Sequence, residues 1–270
     1  MCCIVRVNKG RDAMLNNLER SLPELLVNVW PGLKMFLFQR CEESSQELAK
    51  GLFNSSQPVL VVCREITSAR GRLGRPWHAP NGGLWFSLAF KHGTANLGIL
   101  SLAAGASVAR AIQSVTGLRA LVKWPNDILL DDRKVGGILL EAETLDSGFL
   151  VILGIGVNVN NEVPHDLISR AVSLKEYLAR WVDPDKLLVE ILSELYRAIS
   201  LISDGEGARV LDEWRSLSAT LGRDVRVEIE EGVEIVGKAL DINEEGALLV
   251  ESDGKLHVFY AGDVEHLRHL

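Results

Sequence analysis

A short segment in the first third of the chain combines three arginines with two glycines. It reads Thr67-Ser-Ala-Arg-Gly-Arg-Leu-Gly-Arg-Pro-Trp77, and its arginines are Arg70, Arg72 and Arg75. Guanidinium groups hold carboxylates and phosphates through paired N–H donors, and glycine lets a backbone approach its ligand closely. The segment therefore predicts an anion-binding loop. Composition alone leaves open a solvated basic loop or a local contact with nucleic acid.

Two lysines and an aspartate follow in a second pair of segments. The first is Lys123-Trp-Pro-Asn-Asp127, and the second is Arg133-Lys134-Val-Gly-Gly-Ile. A strand end and a hairpin return would bring these side chains together. Asp127 would then hold a magnesium ion on phosphate oxygens, and Lys134 would lie against an α-phosphate. Ordinary turn chemistry at Asn126 and Asp127, and an exposed hairpin lysine, are the alternatives.

A third segment, Gly154-Ile-Gly-Val-Asn158, ends an apolar run with glycines and an amide. This pattern is weak by itself, because a buried strand leaving its sheet has the same composition. The three segments taken together are much less expected by accident than any one of them alone.

Strands and helices alternate around these segments from about residue 34 to residue 220, and they must position the site. Ser44 with Glu47, and Ser173 with Glu176, have the spacing of helix capping boxes. The predicted strands cover residues 34–38, 58–63, 84–90, 128–130, 135–143 and 149–159. The predicted helices cover residues 44–53, 97–116, 184–202 and 208–217.

The two ends of the chain differ from this middle part. Residues 1–33 contain one helical run, residues 14–26, broken by Pro23, and the sequence assigns them no role. Residues 221–270 contain short alternating strands separated by turns such as Glu231-Gly232, which predicts a small closed β-barrel. These fifty residues carry twelve acidic and five basic side chains, which equals the whole net charge of −7. A basic surface for phosphate backbones is therefore not indicated.

Composition excludes several classes of protein. The chain has 270 residues, 47% apolar and 24% charged, which is typical of a globular protein. Charged residues interrupt the N-terminal apolar residues, so no secretory signal is predicted, and the least polar stretch, residues 93–109, is too short to span a membrane. The four cysteines show neither metal-ligand spacing nor a disulfide framework, which favours a reducing cytoplasm.

The ordered segments resemble those of biotin protein ligases. Ser44-Ser-Gln-Glu-Leu-Ala is similar to the Ser-Thr-Asn segment that opens the site of that family. The other matching segments, in the same order and at similar spacing, are Arg70-Gly-Arg-Leu-Gly-Arg-Pro-Trp77, Gly82-Gly-Leu-Trp-Phe-Ser87, Lys123-Trp-Pro-Asn-Asp127, Arg133-Lys-Val-Gly-Gly-Ile-Leu and Gly154-Ile-Gly-Val-Asn158.

The resemblance implies an α+β fold with two parts and a lead. Residues 34–220 would form a catalytic domain of the class II synthetase-like biotin/lipoate ligase type, a mixed β-sheet with flanking helices. Residues 221–270 would form a small SH3-like β-barrel, and residues 1–33 would precede both.

The resemblance also implies a reaction and a set of residues. The family joins biotin to ATP, giving biotinyl-5′-adenylate and pyrophosphate, and passes biotin to a lysine of a biotin carboxyl carrier protein or carboxylase domain. The catalytic residues implied are Lys134, Arg72 and Asp127, with Asp127 also holding Mg²⁺. The biotin-binding residues implied are Ser44, Ser45, Gln46, Arg70, Gly71, Arg72, Trp77, Trp85, Lys134 and Gly136. The residues implied for ATP and adenylate are Arg70, Lys123, Asn126, Asp127, Lys134 and Asn158.

Three positions depart from the family pattern. Ile66 and Ala69 stand where the family usually has Gln and Gly, and Gln46 replaces Asn. Ile66 lacks a side-chain hydrogen bond worth on the order of 1 kcal/mol, and Ala69 restricts the backbone. These changes imply weaker biotin binding, a compensating contact elsewhere or an altered acid substrate.

Several other functions compete with this reading. A lipoate-type protein ligase would use the same fold and chemistry, but its Arg-Arg-x-Gly-Gly-Gly signature is absent from the sequence. A non-catalytic module would bind biotin or an adenylate without making it. Only about thirty-three residues precede the catalytic segments, so a DNA-regulating winged helix, a DNA partner and a membrane partner are not expected. The oligomeric state stays open, with a homodimer as one alternative.

Overall fold

The structure of the chain is a computed structural model, which describes residues 4–6, 26, 28–54, 57–93, 96–230 and 233–267. The predicted helical run at residues 14–26, apart from Leu26, lies outside these residues, and so does the turn Glu231-Gly232. Leu26 itself is helical and fully buried.

An eight-stranded mixed sheet forms the larger part of the molecule. Its spatial order is β1-β2-β3-β4-β8-β7-β6-β5; the first three strands are parallel and the others pair antiparallel. The strands are β1 (Ile4–Arg6), β2 (Lys34–Phe38), β3 (Val59–Cys63), β4 (Leu84–His92), β5 (Leu121–Lys123), β6 (Asp127–Leu130), β7 (Arg133–Thr144) and β8 (Phe149–Val157). The predicted strands are confirmed, with ends that differ by a few residues.

Helices cover both faces of this sheet. Helix α1 (Ser45–Leu52) packs on one face, where Ala49 meets a cluster that includes Val61 and Trp85. The other face carries the larger core, which includes helices α2 (Leu97–Thr116), α3 (Leu174–Leu178), α4 (Pro184–Ser203) and α5 (Gly207–Leu217). Strand β3 is buried at every residue because both of its faces are covered, which explains its purely apolar sequence.

Helix α2 is the central helix of the larger core. Asn96 caps its first turn, and Gly117 ends it in the left-handed conformation that glycine adopts readily. Its 20 residues are long and apolar enough to cross a membrane, so the prediction that this region is too short was wrong. However, 67% of its most apolar window is buried inside the protein, as expected of a core helix.

One of the two predicted capping boxes is present at its helix start, and the other is not. Ser173 and Glu176 form a complete box at α3, as predicted. At α1, the Ser44 hydroxyl accepts from the Gln46 amide, but Glu47 pairs with Arg70 instead of reaching back to the helix start. The predicted box at α1 was therefore wrong, because a tertiary ion pair takes its carboxylate.

The C-terminal residues form a five-stranded antiparallel sheet in the order β12-β11-β10-β9-β13. Its strands are β9 (Asp224–Glu230), β10 (Val233–Ile242), β11 (Leu248–Ser252), β12 (Lys255–Phe259) and β13 (Asp263–His266). Among the described residues, no ladder joins the two edge strands, so the predicted closed barrel is an open sheet here. The sheet shares the larger core, and Trp124 donates to the carbonyl of Gly246 across the boundary at 3.0 Å.

The cysteines correct one more prediction. Cys41 and Cys63 form a disulfide, although their spacing suggested no disulfide framework. Their strands explain the pairing: β2 and β3 are parallel neighbours, Phe38 lies opposite Cys63, and Cys41 follows three residues after Phe38. Separation along the sequence hid this contact, which only sheet pairing creates.

Candidate active site

The floor of a cleft of about 270 Å³ lies on strands β7 and β8. Gly154 and Gly156 leave room for two large side chains that stand on this floor. A Cβ atom added at Gly154 would lie 2.8 Å from Oε1 of Gln46, and one added at Gly156 would lie 3.0 Å from Nε1 of Trp77. The cleft therefore runs along β8 between Gln46 and Trp77, over about 7 Å of strand.

One end of the cleft, the amide end, consists of Ser44, Ser45 and Gln46 at the start of α1. All three are buried. The Ser45 hydroxyl shares a hydrogen bond of 2.8 Å with the hydroxyl of Ser87 on β4. Gln46 donates from Nε2 to the carbonyl of Leu139 at 3.3 Å and to Oε2 of Glu141 at 3.1 Å. Regular elements thus hold every group at this end.

The opposite end, the cation end, consists of Arg72, Asp127 and Lys134. The β6–β7 hairpin brings Asp127 and Lys134 together, with Lys134 Nζ 2.5 Å from Asp127 Oδ1. The same ammonium lies 5.1 Å from the centre of the Trp77 ring. The sequence predicted that a strand end and a hairpin return would meet here, and this juxtaposition is confirmed.

Arg72 reaches the cation end from the glycine-containing loop and contacts the C-terminal sheet. Its guanidinium donates to the carbonyl of Gly262 at 3.0 Å and to Oδ1 of Asn126 at 3.2 Å, and it lies 3.5 Å from Asp263. Arg75 also pairs with Asp263. Asp263 could not be recognised from the sequence, because nothing in a C-terminal strand signals an ion-pair partner in a loop so far away along the chain.

Arg70 lies nearer the amide end than Arg72. It pairs with Glu47 at 2.5 Å and with Glu141 at 3.3 Å. The hydrogen bond that the Arg70 guanidinium donates to Glu47 raises the pKa of Arg70 further above its usual range, so the charge is permanent. Gly71, also predicted to bind the ligand, lines the cleft and donates its N–H to the carbonyl of Arg75 at 2.8 Å, which tightens the loop.

The two predicted aromatic residues line the cleft together. Trp77 and Trp85 meet edge to face, with ring centres 6.2 Å apart. Trp85 is also a core residue, and its Nε1 donates to the carbonyl of Pro80 at 2.8 Å. The alternative assignment as a core aromatic therefore applies to Trp85 in addition to its position on the cleft wall.

Three predicted site residues lie behind the cleft wall instead of on it. Gly136 faces the carbonyl of Gly156, and Gly137 beside it lines the cleft instead. Asn158 is buried, and its side-chain oxygen accepts from Asn161 at 3.0 Å. Lys123 lies close to Asp127; burial lowers the pKa of its ammonium, and the negative charge of Asp127 opposes that shift.

Ile66 and Ala69, two of the three departures from the family pattern, line the same cleft as Gln46, the third. Ile66 is 7% exposed, lines the cleft and belongs to the smaller core cluster. Ala69 lines the cleft as well and packs against the same cluster. This wall offers the ligand apolar contact and no side-chain hydrogen bond from position 66.

A metal ion at this site would need ligands from its substrate. Within the part of the chain that the structure describes, no three His, Cys, Asp or Glu side chains are grouped to hold a metal. Magnesium is often held by one or two carboxylates together with substrate phosphates. Asp127, partly exposed at the cation end, fits the role of a single carboxylate of that kind.

The arrangement suits an elongated ligand that is neutral at one end and anionic at the other. Hydroxyl and amide groups line the amide end, while an ammonium and a guanidinium converge at the cation end. Both cations are paired with carboxylates, Asp127 and Asp263, in this structure. An anionic group that enters would replace those partners and be held by two aimed charges.

Known proteins share both the sequence and the fold of this chain. The biotin/lipoate A/B protein ligase family matches residues 37–160, and the biotin protein ligase C-terminal domain matches residues 220–267. A biotin–acetyl-CoA-carboxylase ligase of Mycobacterium tuberculosis is 32% identical over 93% of this chain and 96% of its own length. The bifunctional ligase/repressor BirA of Bacillus subtilis is 32% identical over 82% of this chain and 71% of its own length.

The solved structures include a biotin protein ligase from Aquifex aeolicus in complex with biotin and ATP. It superposes with a TM-score of 0.77 at 30% identity and covers 87% of this chain and 99% of that chain. The predicted α+β fold class, a mixed sheet with helices followed by a C-terminal β domain, is confirmed. The chain belongs to the biotin protein ligases of the biotin/lipoate A/B protein ligase family.

Proposed function

We propose that this protein activates biotin with ATP and transfers it to a lysine of a biotin carboxyl carrier domain. The observation that carries the proposal is the polarity of the cleft along β8, with hydroxyl and amide groups at one end and paired cations at the other. Biotin has the matching form, because a neutral cyclic urea and a carboxylate lie at opposite ends of its chain. Membership of the biotin protein ligases supports the same reaction.

The first step joins two anionic groups, which repel each other, and the cation end lowers this electrostatic barrier. A biotin carboxylate oxygen attacks the α-phosphorus of ATP, and pyrophosphate leaves. One unit charge pair about 4 Å apart contributes roughly 4 kcal/mol at an effective dielectric constant of about 20. Lys134 and Arg72, released from Asp127 and Asp263, are sufficient in scale to offset the repulsion between carboxylate and phosphate.

The second step transfers the acyl group to the carrier. The lysine amine attacks the carbonyl carbon of biotinyl-5′-adenylate, the bond to the phosphate oxygen breaks, and AMP leaves with the electron pair. The loop that carries Arg70 and Arg72 would hold the phosphate until the carrier lysine arrives. Lys123, close behind Asp127, would support the nucleotide side of the site.

Magnesium belongs to the proposal through Asp127. When bound, the ion would neutralise charge on the phosphate oxygens of ATP, and Asp127 would be the protein ligand that holds it. Asp127 also pairs with Lys134, so one carboxylate would serve both the ion and the lysine.

ATP–pyrophosphate exchange tests the function, measured with biotin, with lipoate and with neither acid. We expect exchange with biotin, followed by labelling of an acceptor lysine when a carrier domain is added. Exchange that appears only with lipoate would instead identify a lipoate-type ligase. No exchange with either acid, together with retained biotin binding, would identify a non-catalytic module.

Related proteins are named biotin–acetyl-CoA-carboxylase ligases, so the proposed partner of this chain is a carrier domain of a carboxylase.

We propose that nucleic acid is not a partner, because the excess charge of the chain is negative and counterion release would contribute little. A gel-shift titration at about 150 mM salt should show no duplex binding, and sedimentation should decide between a monomer and a homodimer. The cytoplasmic location stays a prediction. It was based on cysteines without a disulfide framework, and the disulfide between Cys41 and Cys63 does not support that basis.

A further inference from the structure

The disulfide between Cys41 and Cys63 joins two chain segments that lead directly into the cleft. Cys41 lies three residues before Ser44 at the amide end, and Cys63 is the last residue of β3. Residues 64–69 follow Cys63 and include part of the cleft wall. Neither cysteine is among the residues that line the cleft, so the bond acts on the site through these two segments.

Backbone hydrogen bonds hold the two segments together beside the disulfide. The Cys41 N–H donates to the carbonyl of Glu65 at 2.9 Å, and the Thr67 N–H donates to the carbonyl of Cys41 at 3.0 Å. The Ile66 N–H between them donates to the carbonyl of Ala79 at 2.9 Å. This short ladder connects Cys41 to two residues of the cleft wall, Ile66 and Ala79.

The disulfide is buried in the smaller core cluster. Cys41 is 3% exposed and Cys63 is 1% exposed, and the cluster also contains Ala49 of α1 and Trp85 of the cleft wall. Two separate thiols need more room than two bonded sulfur atoms, and a close-packed cluster has little room to give. Breaking the bond therefore moves one of the two segments.

The two cysteines differ in how firmly the fold holds them. Cys63 lies in β3, which pairs with a strand on each side. Cys41 lies between β2 and α1, and its neighbours Arg40 and Glu42 are exposed. Local opening of a folded protein begins in exposed segments of this kind, where few backbone hydrogen bonds must break. Cys41 is therefore the cysteine that a reductant reaches, and it is the one attached to the amide end.

We propose that Cys41 and Cys63 form a thiol–disulfide exchange site, at which a dithiol reductant loosens the amide end of the cleft. A thiolate of the reductant attacks the sulfur of Cys41, and Cys63 leaves as a thiolate and takes up a proton. The second thiol of the reductant then attacks the mixed disulfide, which releases Cys41 as a thiol and closes a disulfide within the reductant. Two electrons and two protons pass from the dithiol to the two cysteines.

The oxidised protein is the form that binds biotin more tightly, because the bond holds the start of α1 in place before the ligand enters. Loss of this preorganisation should raise the Kd for biotin about fivefold, which is the scale of ordering one short segment. Linkage requires the reverse effect, so bound biotin should favour the disulfide by the same factor. This regulation rests on the proposed function, since biotin is the ligand measured.

Calorimetric titration of biotin tests the site in protein oxidised with glutathione disulfide and in protein reduced with dithiothreitol, with the bond checked by alkylation and mass spectrometry. The Cys41→Ala/Cys63→Ala double variant should bind biotin like the reduced protein in both conditions. Cys2→Ser/Cys3→Ser, which removes the other two cysteines of the chain, is the matched control and should keep the fivefold difference. Equal Kd values in the two states of the wild-type protein, or thiols that never form the bond, would overturn the proposal.

A second measurement does not depend on the folding of the double variant. Wild-type protein is equilibrated in mixtures of reduced and oxidised dithiothreitol, with and without saturating biotin, and the oxidised fraction is measured. The equilibrium constant for oxidation should be about fivefold higher with biotin. The same constant in both conditions would show that the disulfide stabilises the fold without acting on the site. If neither redox state binds biotin, the proposed function itself fails; if both states bind it equally, only this inference fails.

Discussion

The two ends of the cleft are built in different ways. The amide end lies within one domain, at the start of α1, and its groups bond to neighbouring strands. The cation end is assembled from a loop, a hairpin and the C-terminal sheet, and ion pairs hold it together. Groups at the first end can meet a ligand without exchanging partners, whereas both cations at the second end must exchange a carboxylate for it.

This difference suggests a division of work between binding and chemistry. Rigid, preorganised polar groups select a substrate by the cost of leaving them unpaired. Cations that exchange a carboxylate partner for an entering anion stabilise the transition state most, because negative charge accumulates beside them there. Removing a cation should therefore affect rate more than recognition, and the predictions below test that contrast.

The largest effect should come from Lys134→Ala. The ammonium lies on a hairpin strand beside Asp127, and its loss leaves that carboxylate facing the incoming anions. We expect adenylate formation to slow by about 100-fold, measured as single-turnover formation of biotinyl-adenylate. Lys186→Ala, at an exposed position on α4, is the control. A rate within a few-fold of wild type would remove Lys134 from the chemical step.

Arg72→Ala should separate retention of the intermediate from its formation. The side chain ties the loop to Asn126, Gly262 and Asp263, and the loop should close less often without it. Free biotinyl-adenylate, collected without acceptor, should be about tenfold higher per adenylate made than for Lys134→Ala, because one lost charge-assisted contact changes retention by roughly that factor. Labelling of bystander lysines should rise in parallel. Equal leakage from the two variants would contradict this division, and Arg209→Ala controls for loss of a surface arginine.

The third prediction concerns pH, which should affect the junction behind the cation end and spare the amide end. Burial, reinforced by Lys123 and Arg223, lowers the pKa of His266 from 6.5 to about 4. Neutral His266 therefore contributes stability above pH 6.5, and this contribution is lost as the pH falls toward 4. The loss should be about 1 kcal/mol in the free energy of unfolding, since the ring is partly open to solvent.

Urea unfolding at pH 7 and pH 4.5 measures this contribution. His266→Gln should reduce the difference between the two pH values, whereas His165→Gln, at an exposed position, should leave it unchanged. The same acid sensitivity in His266→Gln and wild type would show that other groups determine it.

The smallest effect should follow Asp263→Asn. This change removes the ion pairs to Arg72 and Arg75 but leaves the bonds from Arg72 to Gly262 and Asn126. Partly exposed pairs contribute less than about 1 kcal/mol, so adenylate leakage should rise only two- to threefold. Glu265→Gln on the same strand, which loses a pair with Arg226, should show no rise. Leakage as large as that of Arg72→Ala would mean that the C-terminal sheet controls the loop.

Local patterns predicted the elements of the fold well. The limits of α2 and the capping box of α3 follow from residues a few positions apart, such as Gly117, Ser173 and Glu176. The charged segments around Arg72, Asp127 and Lys134 could also be recognised as candidate site residues. Folding alone seldom requires Arg, Lys and Asp next to glycines in several successive segments. Features of this kind depend on residues that are close together in the sequence, so a local pattern is enough to predict them.

Contacts between distant residues were not predictable in the same way. The Cys41–Cys63 disulfide depends on two parallel strands becoming neighbours. Gly137 lines the cleft in place of the predicted Gly136, because neighbouring residues of β7 point to opposite faces of the sheet and only one face forms the cleft. Glu47 had the right spacing for a capping box, yet an arginine 23 residues away takes its carboxylate.

The order of elements, the charged groups and the resemblance to biotin protein ligases follow from the sequence alone, because they depend on residue type and local spacing. Which of those groups are paired, and with what, depends on the tertiary structure. Asp263 neutralises Arg72, and Glu141 accepts hydrogen bonds from both Gln46 and Arg70. Partners of this kind come from elements far apart in the chain, and their positions follow from packing, which no local pattern specifies.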